Sequence, residues 1–205
     1  MDIFARLSAR DPQNASWSRS AHWARLTRLE LVPPARWTPE QAKILDRVVA
    51  GLEALSAQDP SNVGAVVDLA QGLRLKALRA LATGDIETAR AVAGDAHGRM
   101  AALVAGTDYS AQRLAELARA AEVLGTAQAA TGDHALAHAT WSEAAARLDA
   151  QDQTTFEFLP VRRLLAINLG QSERLTALQE GLDQAGYRDP RMDPAYTLTG
   201  AFAPE

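Results

Sequence analysis

Cysteine is absent from the 205 residues, and with it go disulfides, thiolate metal sites and cysteine nucleophiles. That absence fits a reducing or an oxidising compartment equally and does not choose between them. Aromatic residues make up only 5% of the chain and β-branched residues are few, which argues against a sheet. Lysine occurs only at Lys43 and Lys76; the remaining basic residues are arginines scattered among acids. With a net charge of −4 and no basic block, the composition argues against a nucleic-acid partner. No apolar run approaches the roughly 18 residues that span a bilayer, so no membrane insertion by this chain is expected. Asp2, Asp11, Pro12 and Asn14 make the start unlike a secretory leader. If Met1 is the natural start, the expected location is the cytoplasm; if the chain is an excised domain, the periplasm also fits.

What is present is a period. Asp11-Pro12-Gln13-Asn14 recurs as Asp59-Pro60-Ser61-Asn62, a step of 59 − 11 = 48 residues. Thr83-Gly84-Asp85 with Ala89 and Ala96 recurs as Thr131-Gly132-Asp133 with Ala137 and Ala144, again 48 residues on. Periods of this size belong to stacked supersecondary units that bury their apolar faces only against one another.

Helical spacing fills the units. One helix is expected from near Asn14 to Leu31, where Pro33-Pro34 stops it. Thr38-Pro39-Glu40-Gln41 has the form of a capping box with proline at the first helical position. Leu45, Val48, Val49, Leu52 and Leu55 then form one apolar stripe. Further stripes are Val66, Ala70, Leu73, Ala77 and Leu81; Ala89, Val92, Ala96 and Met100; Leu114, Leu117, Ala121, Leu124 and Gln128; and Ala137, Trp141, Ala144 and Leu148. Gly84, Gly132 and Gly170 stand where a left-handed residue ends one helix, and Asp85, Asp133 and Ser172 where a side chain caps the next. The expected fold is all-α, about eight helices in four antiparallel hairpins near 14–58, 59–106, 107–150 and 154–186. The fourth hairpin is shortened, and an irregular tail covers 187–205.

The third hairpin resembles a tetratricopeptide repeat, because Leu124-Gly125, Gly132-Asp133, Ala137, Trp141 and Ala144 fall at that family's spacing. The second keeps Gly84, Ala89 and Ala96 but has Lys76-Ala77 where Leu-Gly is usual, and the fourth has Leu175 and Leu182 at the small positions. The resemblance implies a right-handed α-solenoid. Leu7-Ser8-Ala9-Arg10-Asp11-Pro12-Gln13-Asn14 with Trp17, and Gly186-Tyr187-Arg188-Asp189-Pro190, look like helical-repeat regions that follow catalytic or winged-helix modules in bacterial signalling proteins. That likeness implies a non-catalytic, protein- or peptide-binding scaffold. The alternative is a small-molecule-sensing domain of a larger receptor.

In the family, the first helix of each hairpin lines the partner groove. The matching positions are Gln71 and Arg74 in the second hairpin, Arg119, Glu122 and Thr126 in the third, and Asn168 in the fourth. Glu122 stands where the family's clamp for carboxylate ends needs a cation or amide, so that clamp is not reproduced. The implied outcome is that losing Arg74 and Arg119 together weakens partner binding and leaves helicity intact.

Other candidates have plainer explanations. His134 and His138 have the i, i+4 spacing of two metal ligands, but Ala135 replaces the glutamate of a His-Glu-x-x-His site. They are expected on a solvated face, with no metal and no cofactor. Gly94 and Gly98 beside His97 lack the Gly-Lys-Ser/Thr of a phosphate loop, and close helix contact accounts for them. Trp17, Trp23 and Trp37 are expected mainly as packing residues, with self-association through them as the other use. No serine sits in a nucleophile elbow, so no catalytic residue is assigned.

Overall fold

The computed structural model describes residues 3–11, 14–106, 109–151, 156–184 and 186. Among them are nine α-helices and no strand: α1 (Ile3–Arg10), α2 (Ala15–Glu30), α3 (Pro39–Gln58), α4 (Val63–Ala82), α5 (Ile86–Leu103), α6 (Ala111–Ala130), α7 (His134–Asp149), α8 (Leu159–Asn168) and α9 (Ser172–Gln184). Short 3-10 turns at Pro34–Arg36 and Phe156–Phe158 precede α3 and α8. The expected tail at 187–205 and the expected hairpin entry at Thr107-Asp108 lie outside the described residues. None of the described helices is long and apolar enough to cross a membrane.

Each start and stop has a local cause. Asn14 accepts from the Trp17 amide and so caps α2. Thr38 and Gln41 exchange hydrogen bonds in the capping box that opens α3. Asn62, Asp85 and Ser110 cap α4, α5 and α6 in the same way. Two expected caps differ. The Asp133 carboxylate leaves the α7 terminus to pair with Arg90 at 2.7 Å, and Ser172 lies inside α9, whose first turn closes from Leu175 onto the Gln171 carbonyl. The helix α1 was not expected, and it packs on α2.

The three turns that join α4 to α5, α6 to α7 and α8 to α9 are built alike. Gly84, Gly132 and Gly170 have φ of 79°, 85° and 65°. The next amide closes back over each turn: Asp85 to Ala80, Asp133 to Gln128 and Gln171 to Ala166, each at 2.9 Å. This six-to-one bond is the Schellman motif, and glycine supplies its left-handed residue without a Cβ clash.

Consecutive helices pack on one another from α1 to α9, and α4 also reaches α2 and α6 while α6 reaches α8. Two apolar clusters result. Leu26, Leu45, Val49, Leu52, Leu69 and Leu75 anchor the first, and Leu114, Leu117, Leu148, Phe158, Val161 and Leu165 the second. Alanines 89, 93, 96, 120 and 127 are fully buried and let α5 and α6 approach closely. Trp141 sets the pyrrole side of its indole against α6 at Gly125, where an added Cβ would meet Nε1 at 2.2 Å, and its N–H donates to the Glu122 carbonyl at 3.0 Å. Gly94 and Gly98 correct their expected role: a Cβ at either meets nothing within 4 Å, so close packing does not require them.

Those glycines give a paired test. In urea unfolding, Gly125→Ala should destabilise by about 1–3 kcal/mol through overpacking. Gly98→Ala should stabilise by about 0.5–1 kcal/mol, since it only restricts the unfolded chain. Equal effects of the two substitutions would refute this packing account.

Candidate functional site

The buried polar side chains concentrate on α4 and α6. Asp68, Gln71 and Arg74 follow one another at three-residue spacing along α4, on a side that faces α2 and α6. Arg74 is buried, 5% exposed, and its guanidinium bridges two acids. Nη2 donates to Glu30 Oε1 at 2.5 Å and Nε to Glu116 Oε1 at 2.6 Å. Gln71 donates to the other Glu30 oxygen at 2.9 Å. Arg119 extends the chain of charges, reaching Glu116 at 3.5 Å and the Glu157 carbonyl at 3.3 Å. A separate pair, Arg19 with Asp68 at 2.7 Å, also joins α2 to α4, with the guanidinium lying over Gly64.

Burial alone would lower the Arg74 pKa, but the Glu116 and Glu30 carboxylates outweigh it and raise it further, so the guanidinium stays charged. Two acids and one arginine out of water are costly singly and tolerable only together. Asp68 is raised by burial in spite of Arg19, and the nearby Glu116 charge adds to the rise.

Glu122 is a different case. It is buried, and its carboxylate accepts from Asn168 at 3.1 Å and from the Thr126 hydroxyl at 3.2 Å, both neutral donors. Burial raises its pKa; the two hydrogen bonds and the Arg74 charge offset only part of that rise.

The six expected groove residues therefore fall into these two clusters: Gln71, Arg74 and Arg119 in the first, Glu122, Thr126 and Asn168 in the second. Arg74, Glu122 and Thr126 are buried, while Gln71, Arg119 and Asn168 are half-buried. Losing Arg74 would remove the buried charge shared by two carboxylates and so act on folding as well as on any binding. Glu30, Glu116, Asp68 and Arg19 were not singled out from the sequence. Nor was Arg162, which is fully buried, donates to the Leu148 carbonyl at 2.6 Å and holds its guanidinium 5.2 Å from the Phe158 ring.

The remaining candidates are dispersed. His134 and His138 are exposed, and among the described residues no group of three or more His, Cys, Asp or Glu could hold a metal. His97 faces a crevice of about 30 Å³ with Thr140, Glu143 and Arg147, room for about one water. Burial and Arg147 lower its pKa while Glu143 acts against them. Trp37 packs on the first cluster and donates to the Val32 carbonyl at 2.8 Å; Trp17 is half-buried; Trp23, 44% exposed, departs from the packing role. Comparison of the chain with protein-family models, curated proteins and solved structures finds no match.

Two outcomes follow. Arg74→Met should cost about 3–5 kcal/mol in urea unfolding, because it removes the buried charge that Glu30 and Glu116 share and leaves only Gln71 on Glu30 and the longer Arg119 contact on Glu116; a cost under about 1 kcal/mol, the range of a surface pair, would contradict the geometry. Glu122 binds its proton more tightly folded than unfolded, so its favourable contribution holds at low pH and is lost as pH rises from about 4.5 through the raised value. The stability of Glu122→Gln relative to the parent should therefore grow between pH 4 and pH 7, and a flat difference would contradict the assignment.

Proposed function

We propose that the chain is a right-handed α-solenoid of four antiparallel, tetratricopeptide-like hairpins that binds a protein or peptide without catalysis. In this reading it is the interaction or sensory module of a bacterial signalling protein. The observation that carries it is the recurrence of one turn at Gly84, Gly132 and Gly170, together with the packing of alternate helices α2, α4, α6 and α8. Units closed by the same turn and joined through every second helix form a layered stack, and such stacks offer an extended recognition face.

Partner contact in this reading falls to Gln71, Arg119 and Asn168, the half-buried members of the row, with Arg74, Glu122 and Thr126 as its rigid floor. An extended peptide would meet them through side-chain hydrogen bonds. The non-catalytic character is supported by Arg74, Glu30 and Glu116, whose charges are spent on one another between the helices. A second reading, sensing of a small molecule, is favoured by one specific feature: a cleft between α2 and α3 lined by His22, Arg25, Ile44, Arg47 and Val48.

The test is selection of peptides from a random library on the whole chain, followed by calorimetry of a selected peptide. Replacing Gln71 and Arg119 together by alanine should weaken its binding about tenfold or more with helical circular dichroism preserved. Undiminished affinity, or a library that yields no peptide, would remove the groove reading.

A further inference from the structure

The α2–α3 cleft has a volume of about 380 Å³, at the lower end of the range for small-ligand sites. That is over ten times the crevice beside His97. Its lining divides into two kinds. Ile44, half-buried at the edge of the first core cluster, supplies the apolar wall, backed one turn on along α3 by Val48 of the core itself. Arg25 from α2 and Arg47 from α3 supply two guanidiniums, and His22 stands one turn before Arg25.

The charges there are not balanced. Arg25 forms no ion pair among the described residues. Arg47 pairs with Glu40 at 2.8 Å, but both side chains are about two-thirds exposed, so water screens the bond and a competing anion displaces it cheaply. Gly51 makes room for the His22 imidazole, since a Cβ there would meet Nε2 at 2.4 Å. The His22 Nδ1 is buried without a hydrogen-bond partner. Burial and the Arg25 charge lower the His22 pKa, so the ring is neutral at pH 7. Two guanidiniums against one glutamate leave a single net positive charge beside the apolar wall.

We propose that this cleft binds a small organic monocarboxylate, its carboxylate held between Arg25 and Arg47 and its short apolar tail laid on Ile44. Guanidinium forks suit carboxylate oxygens, and one uncompensated positive charge matches one negative charge. The apolar wall distinguishes the ligand from a bare inorganic anion. The inference rests on the small-molecule reading, uses none of the residues of the peptide groove, and fails separately from either.

The probe is hexanoate, titrated into the full chain while the four histidine ring signals are followed by NMR, with hexyl phosphate, inorganic phosphate and hexanol in parallel. Hexanoate should shift the His22 ring signals saturably and leave those of His134 and His138 in place. Inorganic phosphate and hexanol, each lacking one half of the ligand, should bind about tenfold more weakly or worse. Stronger binding of hexyl phosphate than of hexanoate would overturn the monocarboxylate assignment. Arg25→Gln, at a residue outside the buried ion cluster, should weaken hexanoate about tenfold with an unchanged melting temperature; Arg47→Gln serves as the second variant. No saturable His22 shift, equal binding of hexanol, or undiminished affinity in both variants overturns the proposal. Binding with unchanged small-angle scattering supports the site and removes the sensing reading, because the stack would not have changed shape.

Discussion

Arg74 is the group on which the arrangement of the helices depends. It sits in the middle of α4, out of water, and spends its guanidinium on one acid from α2 and one from α6. Apolar contacts are tolerant of small slides between helices, whereas a guanidinium bridging two fixed carboxylates is not. Replacing the whole cluster by apolar residues of similar volume is often neutral or stabilising, so net stability is a poor explanation for its presence. Its better use is registry: it sets how far α2 and α6 stand along α4, and the alanine-floored contacts around it then close.

The same constraint shapes what the molecule can bind. A row of polar residues on alternating helices invites the picture of an open groove, yet the central members of this row answer one another. Arg74 is held by Glu30 and Glu116, and Glu122 by Thr126 and Asn168. Gln71, Arg119 and Asn168 keep partial access to solvent, so the proposed peptide contact would fall on the edges of a fixed internal network. The first helices of the chain differ. Among the described residues, Arg25 forms no ion pair and Arg47 pairs only with the exposed Glu40, and both line a cleft between α2 and α3 with Ile44.

Much of the architecture was legible in the sequence, because its signals are local. The Thr38 box, the Asn62 and Asp85 caps and the glycines at 84, 132 and 170 act within a few residues of themselves. Gly125 and Trp141 were placed by spacing alone, and only the structure brings the indole against the glycine. The site was far less legible. An apolar stripe on α4 implies a solvated opposite face, but α4 packs on α2, α3, α5 and α6, so its polar side is covered too. The partners that then become necessary, Glu30 and Glu116, are 44 and 42 residues from Arg74 in the chain. No spacing rule reaches that far. Helix α1 was missed for a different reason: at eight residues it has little intrinsic stability and owes its form to packing on α2.

The measurement closest to the central claim is amide hydrogen exchange on the Arg74→Met chain beside its parent under folding conditions. If Arg74 holds three helices in register, protection should fall together in α2, α4 and α6, with α9, which lies outside the cluster, little changed. Loss confined to α4, with α2 and α6 protected as before, would contradict the account.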